Sequence, residues 1–401
     1  MINTHGGSRQ TIIPSNDNQQ ASKTAAIIDI GLSGHRQRYI QWVATALIRT
    51  GYSPTILLLC DDEIPKELLS WAQNLGIPVS QDRRSAKLSP RILLRSLSFY
   101  FLTFRVLKES RLDYDLLFFP YFDYISYVVA ALGMPKITGS VSGILMRPYF
   151  HVLNPDSLIG KTTNWLKRIL FEKLLRLRKI STIYTIDELL YERYGSQEHR
   201  SLQYLPDPAF LAENVPIGSP LKETFSILVY GSLQRRKGLN ELLAGIEYLG
   251  SRYQGELVFA GKIDPEMLTC IEQLMIDGKW RIETFDRYIT AEEELAFFSN
   301  ADLVWVGYVK FYNMSGVLAQ AGIARKPVIS SDEGLVGHLV RKYGLGLAVD
   351  ISSPEAVGNA ILELNGDSRK RSTMGENGYK KFSPHTVARF VDIVSECELE
   401  T

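Results

Sequence analysis

The chain has 401 residues, 45% of them hydrophobic, and a formal net charge of +1 at pH 7. This length exceeds what one hydrophobic core usually holds, so we expect two domains. The charge is balanced and no recognised binding motif accompanies it, which argues against nucleic acid as a partner. No uninterrupted apolar run approaches the length of a spanning helix, and three scattered cysteines without metal spacing predict a cytoplasmic protein with neither disulfides nor a metal site.

The chain begins with a polar stretch, residues 1–22, which lacks the apolar core of a signal sequence and predicts a disordered tail. A short strand over 25–30 follows, then a glycine-containing turn, Gly31 to His35, and a helix over about 37–50. Glycines at the first strand-to-helix turn allow a ligand to approach the backbone closely. A lone G-x-x-G pattern also occurs in turns that bind nothing.

Two segments of the first half combine cations with apolar side chains. Residues 91–111 interleave Arg and Lys with four aromatic residues, and residues 161–181 contain seven Lys or Arg against one Glu. Basic amphipathic helices of this kind are typical of segments that dock on anionic lipid. The alternative is that the apolar face of each segment packs in the protein core and that the cations lie on its solvent-exposed side. The apolar residues concerned are Phe99, Tyr100, Phe101, Phe104, Trp165, Ile169, Phe171, Leu174, Leu175 and Leu177.

Between these segments we predict a strand over 135–138 and a loop over 140–147, SVSGILMR, as a second candidate ligand-binding loop. A domain boundary follows at about residue 205, where Pro206 and Pro208 prevent a helix from continuing and the next residues have linker composition. Residues 1–206 carry a net positive charge and residues 207–401 a net negative one. An α/β pattern lies on each side of the boundary.

The second half contains a strand that runs into a basic turn. Residues 227–246, ILVYGSLQRRKGLNELLAGI, predict a strand, then Gly231 and Ser232, the cations Arg235 to Lys237, and an amphipathic helix after Gly238. Three consecutive cations repel one another unless an anion binds there. The alternative is a solvated basic turn.

The most informative segment is residues 303–350, which predicts strand, loop, helix, strand and strand. The loop ends in Asn313, and the first helical turn holds Met314, Ser315 and Gly316. In such a βαβ unit the loop opens at the carboxyl edge of the sheet, where α/β proteins place ligands. Free backbone N–H groups at the positive end of a helix favour an anion, and phosphate is the obvious one. The alternative is that Ser315 is only a helix cap.

The two segments together resemble the C-terminal half of GT-B glycosyltransferases, closest to the retaining family 4, the glycosyl transferases group 1. Members carry a G-R-L-x-x-R-K-G turn and an E-x7-E stretch that runs into A-x-x-x-G-x-P-V-I. Residues 231–238, GSLQRRKG, and 321–329, AGIARKPVI, match these motifs in part. The resemblance implies an α/β protein with two Rossmann-like doubly wound domains facing each other across a cleft. We expect an acceptor domain over 23–205, a donor domain over 206–383 and a helix over 384–401 that crosses back to the first domain.

The resemblance also implies roles for individual residues. Lys237, helped by Arg236, would neutralise the departing diphosphate, and His35 would take part from the first domain. The family's two glutamates fall on Tyr312 and Gln320, where a hydroxyl and an amide remain for the sugar and the ribose. The expected donor-binding residues are Gly231, Ser232, Lys237, Tyr312, Asn313, Ser315, Gly316 and Gln320, and the expected acceptor residues are Gly34, His35, Ser142, Gly143 and Arg147.

The sequence therefore predicts a glycosyltransferase that transfers a sugar from a nucleotide sugar to a saccharide or lipid-linked acceptor. By resemblance the transfer retains anomeric configuration and uses neither metal nor another cofactor. We expect it in cell-surface polysaccharide or glycolipid synthesis, in the cytoplasm or on the inner face of the membrane. Two alternatives remain: a non-catalytic GT-B subunit that binds a nucleotide or a partner, which would explain the missing carboxylates, and a GT-B nucleotide-sugar epimerase.

Overall fold

The computed structural model describes residues 23–84, 92–110, 113–134, 139–152, 157–195, 201–209, 224–252, 255–277 and 280–399. The predicted tail over 1–22 and the predicted strand over 135–138 lie outside these ranges. The chain divides into two compact units. Unit 1 comprises Met1–Pro206 and Val387–Thr401, and unit 2 comprises Asp207–Thr386.

Unit 1 is built on a seven-stranded parallel sheet with the strand order β3-β2-β1-β4-β5-β6-β7. The chain leaves β1 toward one edge and returns to its other side at β4, so the order reverses between these two strands. The strands are β1 (Lys23–Asp29), β2 (Tyr52–Leu58), β3 (Val79–Gln81), β4 (Leu116–Phe119), β5 (Ser140–Leu145), β6 (Ile180–Thr185) and β7 (Leu202–Tyr204).

Helices connect successive strands of this sheet, as parallel pairing requires. They are α1 (Arg36–Arg49), α2 (Lys66–Asn74), α3 (Ile92–Ser110), α4 (Ser126–Leu132), α5 (Leu158–Leu175) and α6 (Glu188–Tyr194). Because helices cover a parallel sheet, its strands read as continuous apolar runs. All four residues of β4, Leu-Leu-Phe-Phe, are buried in this way.

Unit 2 has a six-stranded parallel sheet with the order β10-β9-β8-β11-β12-β13. Its strands are β8 (Ser226–Tyr230), β9 (Glu256–Ala260), β10 (Arg281–Phe285), β11 (Leu303–Val306), β12 (Val328–Ser331) and β13 (Gly346–Val349). Its helices are α7 (Leu239–Leu249), α8 (Pro265–Asp277), α9 (Ala291–Asn300), α10 (Gly316–Ile323), α11 (Gly334–Tyr343), α12 (Pro354–Gly366) and α13 (Ser368–Phe382). The two doubly wound parallel sheets confirm the predicted fold class.

The last helix, α14 (Val387–Leu399), belongs to unit 1. Its buried Phe390 makes an edge contact with Tyr39 of α1 at 5.6 Å between ring centroids and lies 5.4 Å from Trp42. Near its end, Glu398 is fully buried and accepts a hydrogen bond from Tyr184 of β6 at 2.9 Å. The helix begins at Val387, later than the expected start at 384.

The segment 140–147 was wrongly predicted as a loop. Ser140–Leu145 is strand β5, which lies between β4 and β6, and Ser142 and Gly143 are buried inside the sheet. A Cβ at Gly143 would lie 2.7 Å from the Phe122 side chain, so glycine is needed for close packing rather than for ligand access. Of the three residues predicted here for an acceptor, only Arg147 is exposed.

The two basic segments differ in what their apolar residues contact. In α3, Phe99 and Tyr100 lie in the core of unit 1, although Phe101 is 61% exposed. In α5 the last turns pack on the core, whereas the first three turns expose a set of apolar side chains that we call the α5 apolar patch. The patch consists of Leu158 (80% exposed), Ile159 (82%), Trp165 (60%), Leu166 (49%) and Ile169 (40%). None of the helices in the described ranges is long and apolar enough to span a membrane.

Candidate functional site

The basic turn and the loop before α10 follow neighbouring strands of unit 2. Strands β8 and β11 pair in parallel, so both segments lie at the carboxyl edge of the sheet. The strand order reverses between these two strands. Ligands of open α/β sheets bind at such a reversal, because the loops diverge there and leave a crevice.

Backbone contacts hold the two segments together. The Val309 N–H donates to the Arg236 carbonyl at 3.0 Å, and the Trp305 indole N–H donates to the Lys237 carbonyl at 2.9 Å. Gly238 has a left-handed φ of 66°, and a Cβ there would lie 1.8 Å from the Gly307 carbonyl oxygen. The glycine of the basic turn is therefore required by both its conformation and this close approach.

Lys237 turns inward from the basic turn and is 6% exposed. Its Nζ donates to the Tyr230 carbonyl at 3.2 Å and to the Tyr308 Oη at 3.1 Å. Burial, assisted by the neighbouring positive charge of Arg236, lowers the pKa of Lys237 to about 8. The ammonium is thus charged at pH 7, and a bound anion would stabilise that charge.

The Tyr308 hydroxyl also lies 3.1 Å from the Ser315 Oγ, so three buried polar side chains form one cluster. Ser315 is the N-cap of α10, and its Oγ accepts a hydrogen bond from the Leu318 N–H at 3.3 Å. Burial raises the pKa of Tyr308 to about 12, so this tyrosine stays protonated. Lys237 and Ser315, predicted from separate segments, therefore contact the hydroxyl of one tyrosine.

The remaining predicted donor residues border this cluster. Asn313 precedes the helix, and its Oδ1 is buried without a hydrogen-bond partner in the described part of the chain. Gly231 has a positive φ of 104°, and a Cβ there would lie 3.4 Å from the Lys237 Nζ. Ser232 and Gly316 are exposed. A buried acceptor without a partner is costly, so a ligand hydroxyl near Asn313 would be favourable.

Arg236, the second predicted cation, is exposed and lies over the Phe311 ring at 5.7 Å. Lys237 similarly lies 4.5 Å from the centroid of the Tyr308 ring. Two cations of the basic turn thus meet two aromatic rings of the loop after β11. The attraction between cation and ring offsets part of the repulsion between the neighbouring charges.

Tyr312 and Gln320 occupy the positions where the family resemblance implies glutamates, and both are half-buried. A carboxylate approaches Tyr312 from another loop. Glu333 occupies the N-cap position of α11 without a side-chain capping bond, and two residues later the Leu335 N–H donates to the Tyr312 carbonyl at 3.3 Å. Burial and the charge of Glu333 together raise the pKa of Tyr312.

Two of the predicted residues of unit 1, Gly34 and His35, lie at the carboxyl edge of its own sheet. Gly34 and His35 are exposed just before α1, and His35 occupies the N-cap position without a side-chain capping bond. The following Arg36 is buried, forms an ion pair with Asp29 and stacks on Tyr121 at 4.0 Å. Burial raises the pKa of Asp29 to about 6, although Arg36 partly opposes this shift.

Two residues of this geometry were missed by sequence reasoning. Tyr308 lies directly after a buried strand, where its position at a parallel strand end was the available signal. Glu333 lies in the turn Ser331–Gly334 after β12, a similar position. Both residues follow the end of a parallel strand, where α/β proteins often place ligand-binding side chains.

The comparisons with known proteins agree with this geometry. Residues 216–381 match the family model described as glycosyl transferases group 1. Among curated proteins, none matches the chain.

Many solved structures resemble the chain at low sequence identity. Sucrose-phosphate synthase from Thermosynechococcus elongatus has a TM-score of 0.65 at 16% identity, covering 94% of this chain and 98% of the other. HepE from Anabaena, solved with UDP, has a TM-score of 0.63 at 16% identity, covering 94% and 100%. A glycosyltransferase from Rickettsia africae has a TM-score of 0.61 at 13% identity, covering 95% and 100%. Over residues 216–381 the chain matches the glycosyl transferases group 1 family, and the chain as a whole has the GT-B fold of these solved structures.

Proposed function

We propose that this glycosyltransferase takes its sugar from a nucleoside diphosphate sugar and transfers it to a saccharide or lipid-linked acceptor. The observation that carries the proposal is the buried cluster of Lys237, Tyr308 and Ser315 at the carboxyl edge of unit 2. The cluster combines a cation, a hydroxyl and the N-terminus of α10. A diphosphate needs such a combination of positive charge and hydrogen-bond donors.

The chemistry that follows is stabilisation of a leaving group. When the bond between the anomeric carbon and the diphosphate oxygen breaks, the electron pair stays on that oxygen. Lys237 and Arg236 neutralise the new charge, and N–H groups at the start of α10 donate to the phosphate oxygens. The scheme uses no metal, and retention of configuration is carried over from the family resemblance.

Two features of the same site suit a sugar beside the diphosphate. The buried Asn313 Oδ1 lacks a partner within the described residues and would accept a hydrogen bond from a sugar hydroxyl. Tyr312 offers a ring face and a hydroxyl, and Glu333 brings a carboxylate beside it. Gln320, whose amide both donates and accepts, is proposed to contact the ribose.

Thermal unfolding with UDP, GDP and ADP tests donor binding directly, because a ligand that binds only the folded state raises its stability. UDP is the first choice, since HepE was solved with UDP and with UDP-glucose. Lys237→Ala should abolish most of the increase in melting temperature, whereas Lys380→Ala, on the exposed side of α13, should not. Equal responses in the two variants would contradict the assignment of the basic turn.

Turnover assays then separate the proposed transferase from its alternatives. A transferase releases nucleoside diphosphate faster when a suitable saccharide or lipid-linked acceptor is added. An epimerase would change the sugar of the free donor without any acceptor. A subunit that only binds would show the thermal response with neither reaction.

We also propose that α5 docks on an anionic membrane surface, where a lipid-linked acceptor would be available. The α5 apolar patch exposes a tryptophan and four aliphatic residues, and exposed cations border it. Tryptophan favours the membrane interface, and Lys or Arg near anionic lipid contributes about 1 kcal/mol each. The cations of the helix and the residues just after it are Lys161, Lys167, Arg168, Lys173, Arg176, Arg178 and Lys179.

Sedimentation with vesicles containing phosphatidylserine tests this docking. Binding should be strong at low salt and weak at high salt, because salt screens the attraction. Replacing Leu158, Ile159 and Trp165 by serine should reduce binding, and so should replacing Arg176, Arg178 and Lys179 by glutamine. Leu132→Ser, at a 58% exposed leucine of α4, is the control. Unchanged sedimentation of both triple variants would exclude α5 as the docking surface.

A further inference from the structure

In the cluster of Lys237, Tyr308 and Ser315, chemistry fixes the direction of one hydrogen bond and permits Tyr308 to be the donor in the other. An ammonium can only donate, so the Tyr308 oxygen accepts from Lys237. The tyrosine O–H is then available to donate, and the Ser315 Oγ lies 3.1 Å away. Tyr308 can therefore accept a hydrogen bond from Lys237 and donate one to Ser315 at the same time.

This arrangement leaves particular donors available for a ligand. When Tyr308 donates to it, the Ser315 Oγ accepts from Tyr308 and from the Leu318 N–H, so its two lone pairs are used and its own hydrogen remains to donate. Lys237 uses two of its three N–H groups, on Tyr230 and Tyr308, and keeps the third. One N–H and one O–H thus remain, on the two groups that contact the tyrosine hydroxyl.

We propose that Tyr308 is a positioning residue that orients these two donors toward the two phosphates of the donor substrate. The inference rests on the proposed function of the site and adds a part that neither family motif contains. Tyr308 is 4% exposed, and its ring is fixed by an edge contact with Phe311 at 5.1 Å. A fixed ring holds the hydroxyl in one place, so Lys237 and Ser315 need little rearrangement when the diphosphate binds.

The variant Tyr308→Phe isolates the hydroxyl. It keeps the ring that packs on Phe311 and faces Lys237, and it removes one hydrogen bond from each of Lys237 and Ser315. Without its tyrosine acceptor the Lys237 ammonium is less stabilised, so the amine should lose its proton at a lower pH. A purely structural role would not shift the pH at which ligand binding weakens.

The experiment is calorimetric titration of UDP into the full-length protein between about pH 6 and pH 9. In the wild type, affinity should fall as the pH rises through the Lys237 transition. Tyr308→Phe should bind UDP about tenfold more weakly than the wild type at pH 7. The pH midpoint of its loss of affinity should also be lower than the midpoint in the wild type. Tyr248→Phe, whose half-exposed ring lies on α7, should match the wild type in both measurements.

A double-mutant cycle with Ser315→Ala gives a second readout at fixed pH. If Tyr308 acts by orienting Ser315, the two substitutions together should weaken binding by less than the product of their separate effects. Thermal unfolding of each variant shows whether it is folded.

Tyr308→Phe with unchanged affinity and an unchanged pH midpoint would overturn the role of Tyr308 while leaving the proposed function intact. Failure of the wild type to bind UDP, GDP or ADP would overturn both.

Discussion

Glu398 should make the stability of unit 1 depend on pH, because its carboxyl group is fully buried beside Tyr184. Burial raises the pKa of Glu398 from 4.5 to about 7, although hydrogen bonds from Ser142 and Tyr184 oppose the shift. A difference of this size between folded and unfolded states corresponds to roughly 3 kcal/mol, at about 1.4 kcal/mol per pKa unit.

The sign follows from which state binds more protons. Below about pH 4.5 the carboxyl is protonated in both states, and its pKa shift costs no stability. Between pH 4.5 and 7 the unfolded chain releases the proton while the folded chain keeps it, so stability falls as the pH rises. Above about pH 7 the penalty of roughly 3 kcal/mol is complete.

Glu398→Gln removes the titration and retains an oxygen that can accept from Tyr184. The free energy of unfolding can be measured by urea unfolding, followed by circular dichroism, near pH 5 and near pH 8. The difference in this free energy between the variant and the wild type should be about 2 kcal/mol more favourable to the variant at pH 8 than at pH 5. Glu396→Gln is the control, since the Glu396 side chain is 65% exposed on the same helix. Parallel pH profiles for the wild type and Glu398→Gln would refute the reasoning.

Substitutions at three further positions test the site and its framework. Gly238→Ala should destabilise unit 2 by well over 1 kcal/mol in urea unfolding, because its left-handed φ and the Gly307 carbonyl leave no room for a Cβ. Gln320→Leu should weaken nucleotide binding by about 1–3 kcal/mol in calorimetry, whereas Gln320→Glu should be tolerated; equal affinities would show that Gln320 does not face the ribose. Glu333→Gln should lower kcat more than nucleotide affinity, and unchanged steady-state kinetics would exclude a role beside Tyr312.

Much of the fold was predictable because its signals are local and repeated. Parallel strands buried on both faces read as short apolar runs, and the glycines and cations after β8 and before α10 indicated turns at the carboxyl edge. The prediction for residues 140–147 failed for a physical reason. Gly143 resembles a loop glycine in sequence, but it lies in a strand because the Phe122 side chain packs against its backbone.

The candidate site was predictable only in part, because its chemistry depends on contacts between separate segments. Lys237 and Ser315 were expected to bind phosphate, yet nothing near either residue reveals that Tyr308 lies between them. Glu333 was missed for the same reason, since it reaches Tyr312 from the loop after another strand. Spacing along the chain indicates which strand ends are candidates for ligand binding, but not which side chains meet across them.

The assignment of α14 to unit 1 has a consequence for biosynthesis. Phe390 and Glu398 complete a core whose other residues are translated before any of unit 2. Unit 1 therefore cannot complete its core until unit 2 has been synthesised. Its apolar surface around Tyr39 and Trp42 stays uncovered during that interval, which exposes the nascent chain to aggregation and to chaperones. Unit 2 is continuous in sequence, so its folding does not depend on a segment that is synthesised after it.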